Sequence, residues 1–362
     1  MSDTLKSRII RHIAMSGPIP LAEYMHWCMA DRSQGYYKTQ NAIGSEGDFV
    51  TAPEISQMFG ELIGIWAIQA WQSIGAPKRF SLVELGPGHG TLMADLLRAT
   101  SMSKEFQQAA HTVLIETSDQ LINIQREKLH GHDNISWASE FDEVSSDPVI
   151  LIANEFLDVL PFRQYVKANG QWHENSIGLD DDAETLKWVL GTGLLSLDDL
   201  PAGHLEEPDG AVFEVSQARE LFVRRIADVI STNDGAALFI DYGHAQSGFG
   251  DTFQALKSHA FADPLAEPGS ADLTSHVDFG ALVSAISDCS IHCNDVLTQG
   301  EFLLSLGLLE RAGQLGAGKS ETVQAELTGQ AERLALPTQM GELFKVLSFS
   351  SGESLSPIAN RA

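Results

Sequence analysis

The chain has 362 residues, and 43% of them are hydrophobic, which is enough to bury a large core and excludes a mainly disordered protein. Its 49 acidic side chains outnumber 23 Lys and Arg, so the formal net charge is −26. Such a charge repels phosphate backbones, which disfavours a nucleic-acid partner, but it suits a basic protein segment or a cationic small molecule. Three cysteines are too few for a disulfide framework, and no apolar run is long enough for a membrane span. We expect a cytoplasmic protein that does not insert into membranes.

Residues 1–75 are predicted to form a helical extension that packs on the rest of the chain, because they contain no strand pair that would stand alone. One helix start is clear within it. Thr51 is placed as N-cap, Pro53 lies in the first turn, and Glu54 completes a capping box. Apolar residues then repeat at helical spacing as far as Trp66, which we assign to the core.

From residue 76 to 362 the chain is predicted to form one domain built on an α/β sheet. Continuous apolar segments at 80–85, 112–116, 135–138 and 149–154 alternate with helical segments that begin at Thr91 and Ser118. Strands of this type, separated by helices, are typical of a parallel sheet that is covered on both faces. The fold class is therefore a doubly wound, Rossmann-like sheet, which resumes with a strand at 236–241 and ends with one near 343–349.

Two insertions interrupt this domain. Asn169-Gly170 is a strong two-residue turn signal between extended segments, so a β-hairpin is predicted at about 162–180. The second insertion covers about 244–340 and is predicted to be irregular as far as 275, with helices at about 278–288, 299–306 and 320–335. Residues 191–210 are predicted to form a surface loop.

A glycine-rich turn follows directly on the strand at 80–85. Gly86, Gly88 and Gly90 allow close approach of a ligand to the backbone, which predicts a nucleoside cofactor. The spacing differs from the dinucleotide fingerprint G-x-G-x-x-G. Glu84, two residues before the first glycine, would be unfavourable beside a pyrophosphate but suits a cofactor with an ammonium group. The pattern therefore favours S-adenosyl-L-methionine.

The next strand ends in Glu116, 26 residues after Gly90. An acid at this strand tip is placed to accept hydrogen bonds from both ribose hydroxyls. The alternative is structural, with Glu84 capping the turn and Glu116 a solvated strand end.

The fourth strand ends in Asn154-Glu155-Phe156-Leu157-Asp158, at the edge where an open α/β sheet presents groups to its ligand. Glu155 and Asp158 could clamp a guanidinium acceptor from two sides, since carboxylates fix its plane. The same residues could also form a polar cap on a strand. At the tip of the following strand, Asp241 is a candidate structural residue and His244 a candidate general base.

Taken together, these motifs resemble the mitochondrial dysfunction protein A family, whose S-adenosylmethionine-dependent methyltransferases include a protein-arginine methyltransferase that assists assembly of respiratory complex I. Almost the whole chain takes part in the resemblance. The blocks that carry it are Gly47-Asp48-Phe49-Val50-Thr51-Ala52-Pro53-Glu54-Ile55-Ser56-Gln57, Val83-Glu84-Leu85-Gly86-Pro87-Gly88-His89-Gly90, Ala153-Asn154-Glu155-Phe156-Leu157-Asp158, Ile240-Asp241-Tyr242-Gly243 and Ala271-Asp272-Leu273-Thr274-Ser275-His276-Val277-Asp278-Phe279.

The resemblance implies a protein substrate, an arginine of a respiratory complex I-type subunit. It also implies that the segment 47–54, which includes Thr51 and Pro53, folds over the cofactor. The acceptor site is implied to be lined by Asn154, Glu155 and Asp158. Because no presequence-like segment precedes the matching region, we expect a bacterial family member. Whether residues 34–50 close as a lid stays open.

Two other functions fit the sequence, a methyltransferase for a small molecule and a non-enzymatic assembly chaperone on a cofactor-binding fold. No metal site is predicted, since Cys289, His292 and Cys293 lack a second ligand pair. A homodimer is compatible with the sequence, which leaves the oligomeric state, the acceptor residue and the degree of methylation open.

Overall fold

The structure is a computed structural model that describes residues 4–31, 33–36, 51–144, 147–197, 200–257 and 260–352. It divides into two compact units. The first unit comprises residues 1–49, 158–221 and 246–276, and the second comprises 50–157, 222–245 and 277–362. Residues 50–75, which we predicted to belong to the N-terminal extension, therefore lie in the second unit.

The second unit contains the central sheet. Its strands are β2 (Phe80–Leu85), β3 (Ala110–Ile115), β4 (Ile135–Ala138), β5 (Val149–Asn154), β10 (Gly235–His244), β14 (Val277–Asp278), β15 (His292–Cys293), β16 (Leu297–Thr298) and β17 (Phe344–Ser350). The order across the sheet is β15-β17-β10-β5-β2-β3-β4. The pairs from β10 to β4 are parallel, whereas β17 runs antiparallel to β10. The predicted fold class is confirmed.

Helices of the same unit cover this sheet. They are α3 (Ala52–Ile55), α4 (Gln57–Ser73), α5 (Thr91–Thr100), α6 (Lys104–Ala109), α7 (Asp119–Lys128), α8 (Gln217–Asn233, within this unit from residue 222), α9 (Phe279–Ala285), α10 (Gln299–Ser305), α11 (Leu308–Gly316), α12 (Glu321–Ala335) and α13 (Met340–Leu343). Phe59, Trp66 and Trp71 of α4 are buried in its main hydrophobic core, which confirms the prediction for Trp66.

The helix start predicted at Thr51, with Pro53 in the first turn, is confirmed, whereas the capping box and the uninterrupted helix that should follow are wrong. Thr51 is the N-cap of α3, but its side chain makes no capping hydrogen bond, and α3 ends at Ile55. A new helix, α4, then begins with Ser56 as N-cap, whose hydroxyl accepts a hydrogen bond from Met58 N at 3.3 Å. The capping box fails because the carboxylate of Glu54 accepts a hydrogen bond from Thr91 Oγ1 at 2.6 Å.

The first unit is built from α1 (Leu5–Ser16), α2 (Leu21–Ala30) and two small sheets. One sheet holds β1 (Ile19–Pro20), β6 (Arg163–Ala168), β7 (Gln171–Leu179), β8 (Leu186–Leu194) and β9 (Val212–Val215), and the other holds β11 (Gln254–Lys257), β12 (Ala260–Phe261) and β13 (Asp272–Thr274). The predicted hairpin is confirmed as β6–β7, with both turn residues, Asn169 and Gly170, at positive φ. The segments 191–210 and 244–275 are more ordered than predicted, because β8 extends to Leu194 and the latter segment contains β11 to β13.

Candidate active site

The glycine turn after β2 has the backbone conformation that its sequence predicts. Gly86, Gly88 and Gly90 adopt φ values of +59°, +53° and +74°, in the left-handed region that favours glycine. The turn is fixed at both ends, since Gly86 N donates to Ile115 O at 3.1 Å and Gly90 N donates to Pro87 O at 2.7 Å. Gly90 is the N-cap residue of α5, so the turn leads directly into a helix.

Two of these glycines are packed closely against neighbouring side chains. A Cβ atom on Gly86 would lie 3.1 Å from Cδ2 of Phe156, and one on Gly90 would lie 3.3 Å from Cγ of Gln125. Both distances are shorter than ordinary van der Waals contact. A side chain at either position would therefore force Phe156 or Gln125 to move.

Glu84 is the most unusual charged residue of the central sheet. It lies on β2, is only 3% exposed, and its Oε2 atom has no hydrogen-bond partner among the described residues. Burial raises the pKa of this carboxyl to about 8. Buried polar atoms in folded proteins are almost always satisfied, so this oxygen is a candidate partner for a donor group of a ligand. The ammonium group of S-adenosylmethionine fits this requirement.

Glu116 follows the last residue of β3, as the ribose-binding prediction requires. Its Oε1 atom accepts hydrogen bonds from the backbone N–H groups of Thr117 at 2.8 Å and Ser118 at 2.7 Å. These bonds fix the carboxylate at the strand tip, and a carboxylate with two oxygens has further acceptor capacity for hydroxyl groups. Its role in ribose binding stays a prediction.

Gln125 of α7 joins these parts and was missed by the sequence reasoning. This fully buried amide donates from Nε2 to Gly88 O at 2.8 Å and to Glu116 Oε2 at 3.4 Å, and its Oε1 accepts from Trp137 Nε1 at 2.8 Å. The signal in the sequence was a polar residue between Leu121 and Leu129 on the apolar stripe of a helix. Gln125 thus holds the glycine turn and the acid at the β3 tip in one network.

The segment predicted to fold over the cofactor is described only from Thr51 onward, and residues 37–50 lie outside the described residues. Thr51 and Pro53 begin α3. Besides its bond to Thr91, the Glu54 carboxylate lies 3.7 Å from Nδ1 of His89 in the glycine turn. Glu54 therefore links α3 to the start of α5. Contacts of Thr51 and Pro53 with a cofactor stay predictions.

Asn154 and Glu155 lie at the carboxyl end of β5, next to β2 in the sheet. Oε1 of Glu155 accepts from Asn154 Nδ2 at 3.0 Å and from Ala52 N at 3.4 Å. Glu155 adopts φ of +50°, a strained conformation for a residue other than glycine, and such strain is frequent at functional sites. Asn154 Oδ1 is also a buried oxygen with no hydrogen-bond partner among the described residues.

Asp241 holds the backbone that follows Glu155. Its Oδ2 atom accepts hydrogen bonds from Phe156 N at 3.2 Å and Leu157 N at 2.9 Å, and its Oδ1 atom accepts from Tyr242 N at 3.0 Å. The residue is 1% exposed. These contacts support the structural role considered for Asp241, because it fixes the strained turn that presents Glu155.

His244 is the last residue of β10, and its Nε2 atom lies 3.6 Å from Oδ2 of Asp278. Ile240 lies opposite Asn154 in the sheet register, and His244 is four residues further on. At about 3.3 Å per residue, its backbone is roughly 13 Å beyond that point along the strand. The structure therefore does not bring His244 together with Asn154 and Glu155.

Asp158 belongs to the first unit, where it is buried. Its carbonyl oxygen accepts from Nη2 of Arg219 at 2.7 Å, and the same guanidinium donates to Ser275 Oγ at 2.7 Å and to His276 O at 2.8 Å. The guanidinium carbon lies 5.6 Å from the ring centre of Phe162. Arg219 thus connects the Asp158 turn to the segment that ends at His276, a role that no motif in the sequence indicated.

Two further predictions concern metals and membranes. Among the residues that the structure describes, no group of three or more His, Cys, Asp or Glu side chains is arranged to hold a metal ion. Within the same residues, no helix combines the length and the apolar character that crossing a bilayer requires.

Comparisons with known proteins agree with the geometry of the second unit. Residues 62–296 match the model of the family described as "putative S-adenosyl-L-methionine-dependent methyltransferase". The chain belongs to this family. As a methyltransferase of this family it uses S-adenosyl-L-methionine, and the Glu84 carboxyl and the left-handed glycine turn fit that cofactor.

Relatives within this methyltransferase family are similar over nearly the whole chain. The mitochondrial protein arginine methyltransferase NDUFAF7 of Xenopus laevis is 34% identical over 96% of this chain and 84% of its own. The human protein of the same name is 33% identical over 93% of this chain and 82% of its own. A crystal structure from Burkholderia thailandensis bound to S-adenosyl-homocysteine is 26% identical, covers 98% of this chain and 94% of its own, and superimposes with a TM-score of 0.82.

Proposed function

We propose that this methyltransferase acts on an arginine side chain of a protein substrate. The observation that carries the proposal is the carboxylate of Glu155, which a strained backbone and the hydrogen bonds of Asn154 Nδ2 and Ala52 N hold at the carboxyl end of β5. That edge is where open α/β sheets bind their ligands. The relatives named protein arginine methyltransferase and the net charge of −26 support the same choice.

Arginine is a demanding acceptor, because its guanidinium is protonated at neutral pH and its charge is delocalised. The cofactor would supply an electrophilic methyl group on its sulfonium. An arginine nitrogen would form the N–C bond in line as the C–S bond breaks, so that S-adenosylhomocysteine leaves and the methylated nitrogen gives up one proton. Glu155 would fix the plane of the guanidinium through charge-assisted hydrogen bonds and would take up the proton that the nitrogen loses. Asn154 and Asp241 would orient Glu155, the first through its amide and the second through the following backbone.

The resemblance to the mitochondrial dysfunction protein A family leads us to propose a subunit of a respiratory complex I-type enzyme as the substrate. Asp158, three residues after Glu155, remains a candidate for the acceptor site. His244 takes no part in this proposal, since it lies further along β10.

The proposal can be tested by mass spectrometry of respiratory subunits from wild-type and deletion cells. We expect at least one methylated arginine to disappear on deletion and to return with the wild-type gene. Unchanged arginine methylation on every respiratory subunit would contradict the substrate assignment.

A matched pair of variants tests the role of the carboxylate. Glu155→Gln should abolish complementation while binding S-adenosylhomocysteine normally, whereas Glu127→Gln, on the exposed side of α7, should behave as wild type. If Glu155→Gln retains full methylation, the acceptor does not need this carboxylate, and a neutral acceptor, as in a small-molecule methyltransferase, becomes the better explanation.

A further inference from the structure

A large groove lies among the four helices that precede the last strand of the sheet, in a part of the chain that the methyl-transfer chemistry does not use. Its volume is about 870 Å³, and residues of α10, α11, α12 and α13 line it. We call this feature the helical groove. Clefts of this size bind ligands in many proteins, and the residues that line this one determine the chemistry of its occupant.

The floor of the helical groove is formed by small side chains. On α11, Ala312, Gly313 and Gly316 line it, at the three- and four-residue spacing of one helix face. On α12, Ala331 and Ala335 line it at the same spacing. A Cβ atom built on Gly313 would meet no heavy atom within 4 Å, so the space above this residue is open. A floor of this kind allows the backbone of another helix to approach closely.

The rim of the groove is apolar and exposed. Leu304 is 42%, Leu309 64% and Leu336 44% exposed, and all three line the groove. Exposed leucines scattered singly are ordinary, but three of them around one concave surface are typical of an interaction site.

The charged residues of the groove all have the same sign. Glu301, Glu332 and Glu342 line it, and no Lys or Arg is among its described lining residues. The carboxylate of Glu301 is partly engaged, because it accepts hydrogen bonds from Thr298 N and Oγ1 at 2.9 Å. Glu332 and Glu342 are exposed. An apolar cleft with carboxylates at its edge complements a segment with an apolar face and flanking Lys or Arg side chains.

We propose that the helical groove binds an amphipathic, basic α-helix of the protein substrate. The proposal rests on the proposed function for the identity of the partner, and on the groove itself for the chemistry of the helix. Helix-in-groove recognition of this type uses apolar side chains at i, i+3, i+4 and i+7 as anchors.

The groove is connected to the cofactor-binding side of the unit. Ala331 and Leu334 of α12 belong to the same hydrophobic core cluster as Ala52 of α3, and α12 contacts α3 directly. The backbone N–H of Ala52 in turn donates to Glu155. A helix held in the groove would therefore keep its protein attached to the unit that carries Glu155.

A synthetic peptide serves as the probe. A labelled peptide of about 18 Leu and Lys residues in helical pattern, roughly 27 Å long as a helix, is titrated with the full-length protein and followed by fluorescence anisotropy. We expect binding that weakens with added salt. The same peptide with Glu in place of Lys should bind at least about tenfold more weakly, because it would face Glu332 and Glu342.

Two glycine variants provide a matched test of the location. Gly313→Leu places a large side chain in the groove floor. The variant should fold normally, because Gly313 is on a helix and faces open space, and it should weaken binding of the peptide about tenfold. Gly329→Leu is the control, since it is also on a helix and meets no atom within 4 Å but does not line the groove. It should bind the peptide as wild type. Binding of S-adenosylhomocysteine by both variants verifies their folding.

Charge variants test the location independently. Glu332→Gln and Glu342→Gln should each weaken binding of the Lys peptide about threefold and reduce the dependence of that binding on salt. Glu326→Gln is the control, because Glu326 is exposed on α12 outside the groove, and it should leave binding unchanged.

Three outcomes would overturn the proposal: no binding of the Lys peptide, equal binding of the Glu peptide, or unchanged binding by Gly313→Leu. Binding of a small apolar dye that Gly313→Leu abolishes, with no peptide binding, would instead identify a small-molecule site. Peptide binding does not require methyl transfer, so the two proposals fail separately. If arginine methylation is absent while the peptide binds as predicted, only the proposed function falls.

Discussion

Replacement of Glu84 by glutamine separates the contribution of this side chain to ligand binding from its effect on stability. Burial raises the pKa of the carboxyl from 4.5 to about 8. Between these two pKa values the folded protein retains a proton that the unfolded chain has lost. The contribution of that proton to the free energy of unfolding is fully present below pH 4.5 and disappears as the pH rises to about 8. Each pH unit in this window lowers the free energy of unfolding by about 1.4 kcal/mol.

At pH 7 this one carboxyl lowers the free energy of unfolding of the ligand-free wild type by about 3 kcal/mol, relative to a neutral side chain of the same shape. Glu84→Gln keeps the shape and removes the titration. We expect the free energy of unfolding of the ligand-free variant to exceed that of the wild type by up to about 3 kcal/mol at pH 7, with a difference that vanishes near pH 4.5. Urea unfolding at several pH values measures this directly.

The same variant should lose affinity for S-adenosylhomocysteine, because a neutral amide cannot replace a carboxylate opposite an ammonium group. A charge-assisted hydrogen bond contributes about 1.5–3 kcal/mol, so the dissociation constant from calorimetry should rise about tenfold to a hundredfold. Affinity of the wild type should increase with pH between 6 and 8, with release of a proton on binding.

Glu61 offers a matched control for this experiment. Burial raises the pKa of its carboxyl, but hydrogen bonds from Arg311 at 2.7 Å and Arg98 at 2.9 Å outweigh burial and keep the pKa below its usual value. Glu61→Gln should therefore destabilise the protein, the opposite sign to Glu84→Gln, and leave binding intact. The reasoning is refuted if Glu84→Gln is less stable than wild type at pH 7 and binds S-adenosylhomocysteine with unchanged affinity.

Three further substitutions address the site. Gly86→Ala places a Cβ atom on a residue with φ of +59°, 3.1 Å from Cδ2 of Phe156. The variant should lower the free energy of unfolding by about 1–2 kcal/mol, measured by thermal unfolding, and prevent cofactor binding, measured by calorimetry. Gln125→Leu should weaken S-adenosylhomocysteine binding about tenfold, because Gly88 and Glu116 lose their hydrogen bonds to this side chain. An unchanged dissociation constant from calorimetry would contradict the role of Gln125 in holding the site. Arg219→Lys should release the Asp158 turn and so lower the rate of arginine methylation about tenfold, while the affinity for the cofactor stays constant. If methylation and cofactor affinity fall together, the variant is unfolded and the predicted role of Arg219 is contradicted.

Local signals in the sequence were sufficient for the parts of the fold that depend on them. The strand before the glycine turn and the Asn169-Gly170 hairpin were predictable, because buried strands are continuously apolar and type I′ turns need residues that tolerate positive φ. The break between α3 and α4 was not predicted, because the apolar spacing continues across Ser56, whose backbone is extended at the break and whose side chain caps α4.

The site shows the same division. Glu84 and the glycines could be recognised from spacing, whereas the positive φ of Glu155 could not, because its backbone conformation is imposed by Asp241 from another strand. The buried environment that raises the pKa of Glu84 likewise depends on side chains brought together only by folding.

A crystal structure of this protein with S-adenosylhomocysteine tests the central claim most directly. We predict that the amino group of the ligand lies within hydrogen-bond distance of Glu84 and that Glu116 accepts hydrogen bonds from its ribose. A ligand bound away from the 86–90 turn, with Glu84 still without a partner, would contradict the assignment.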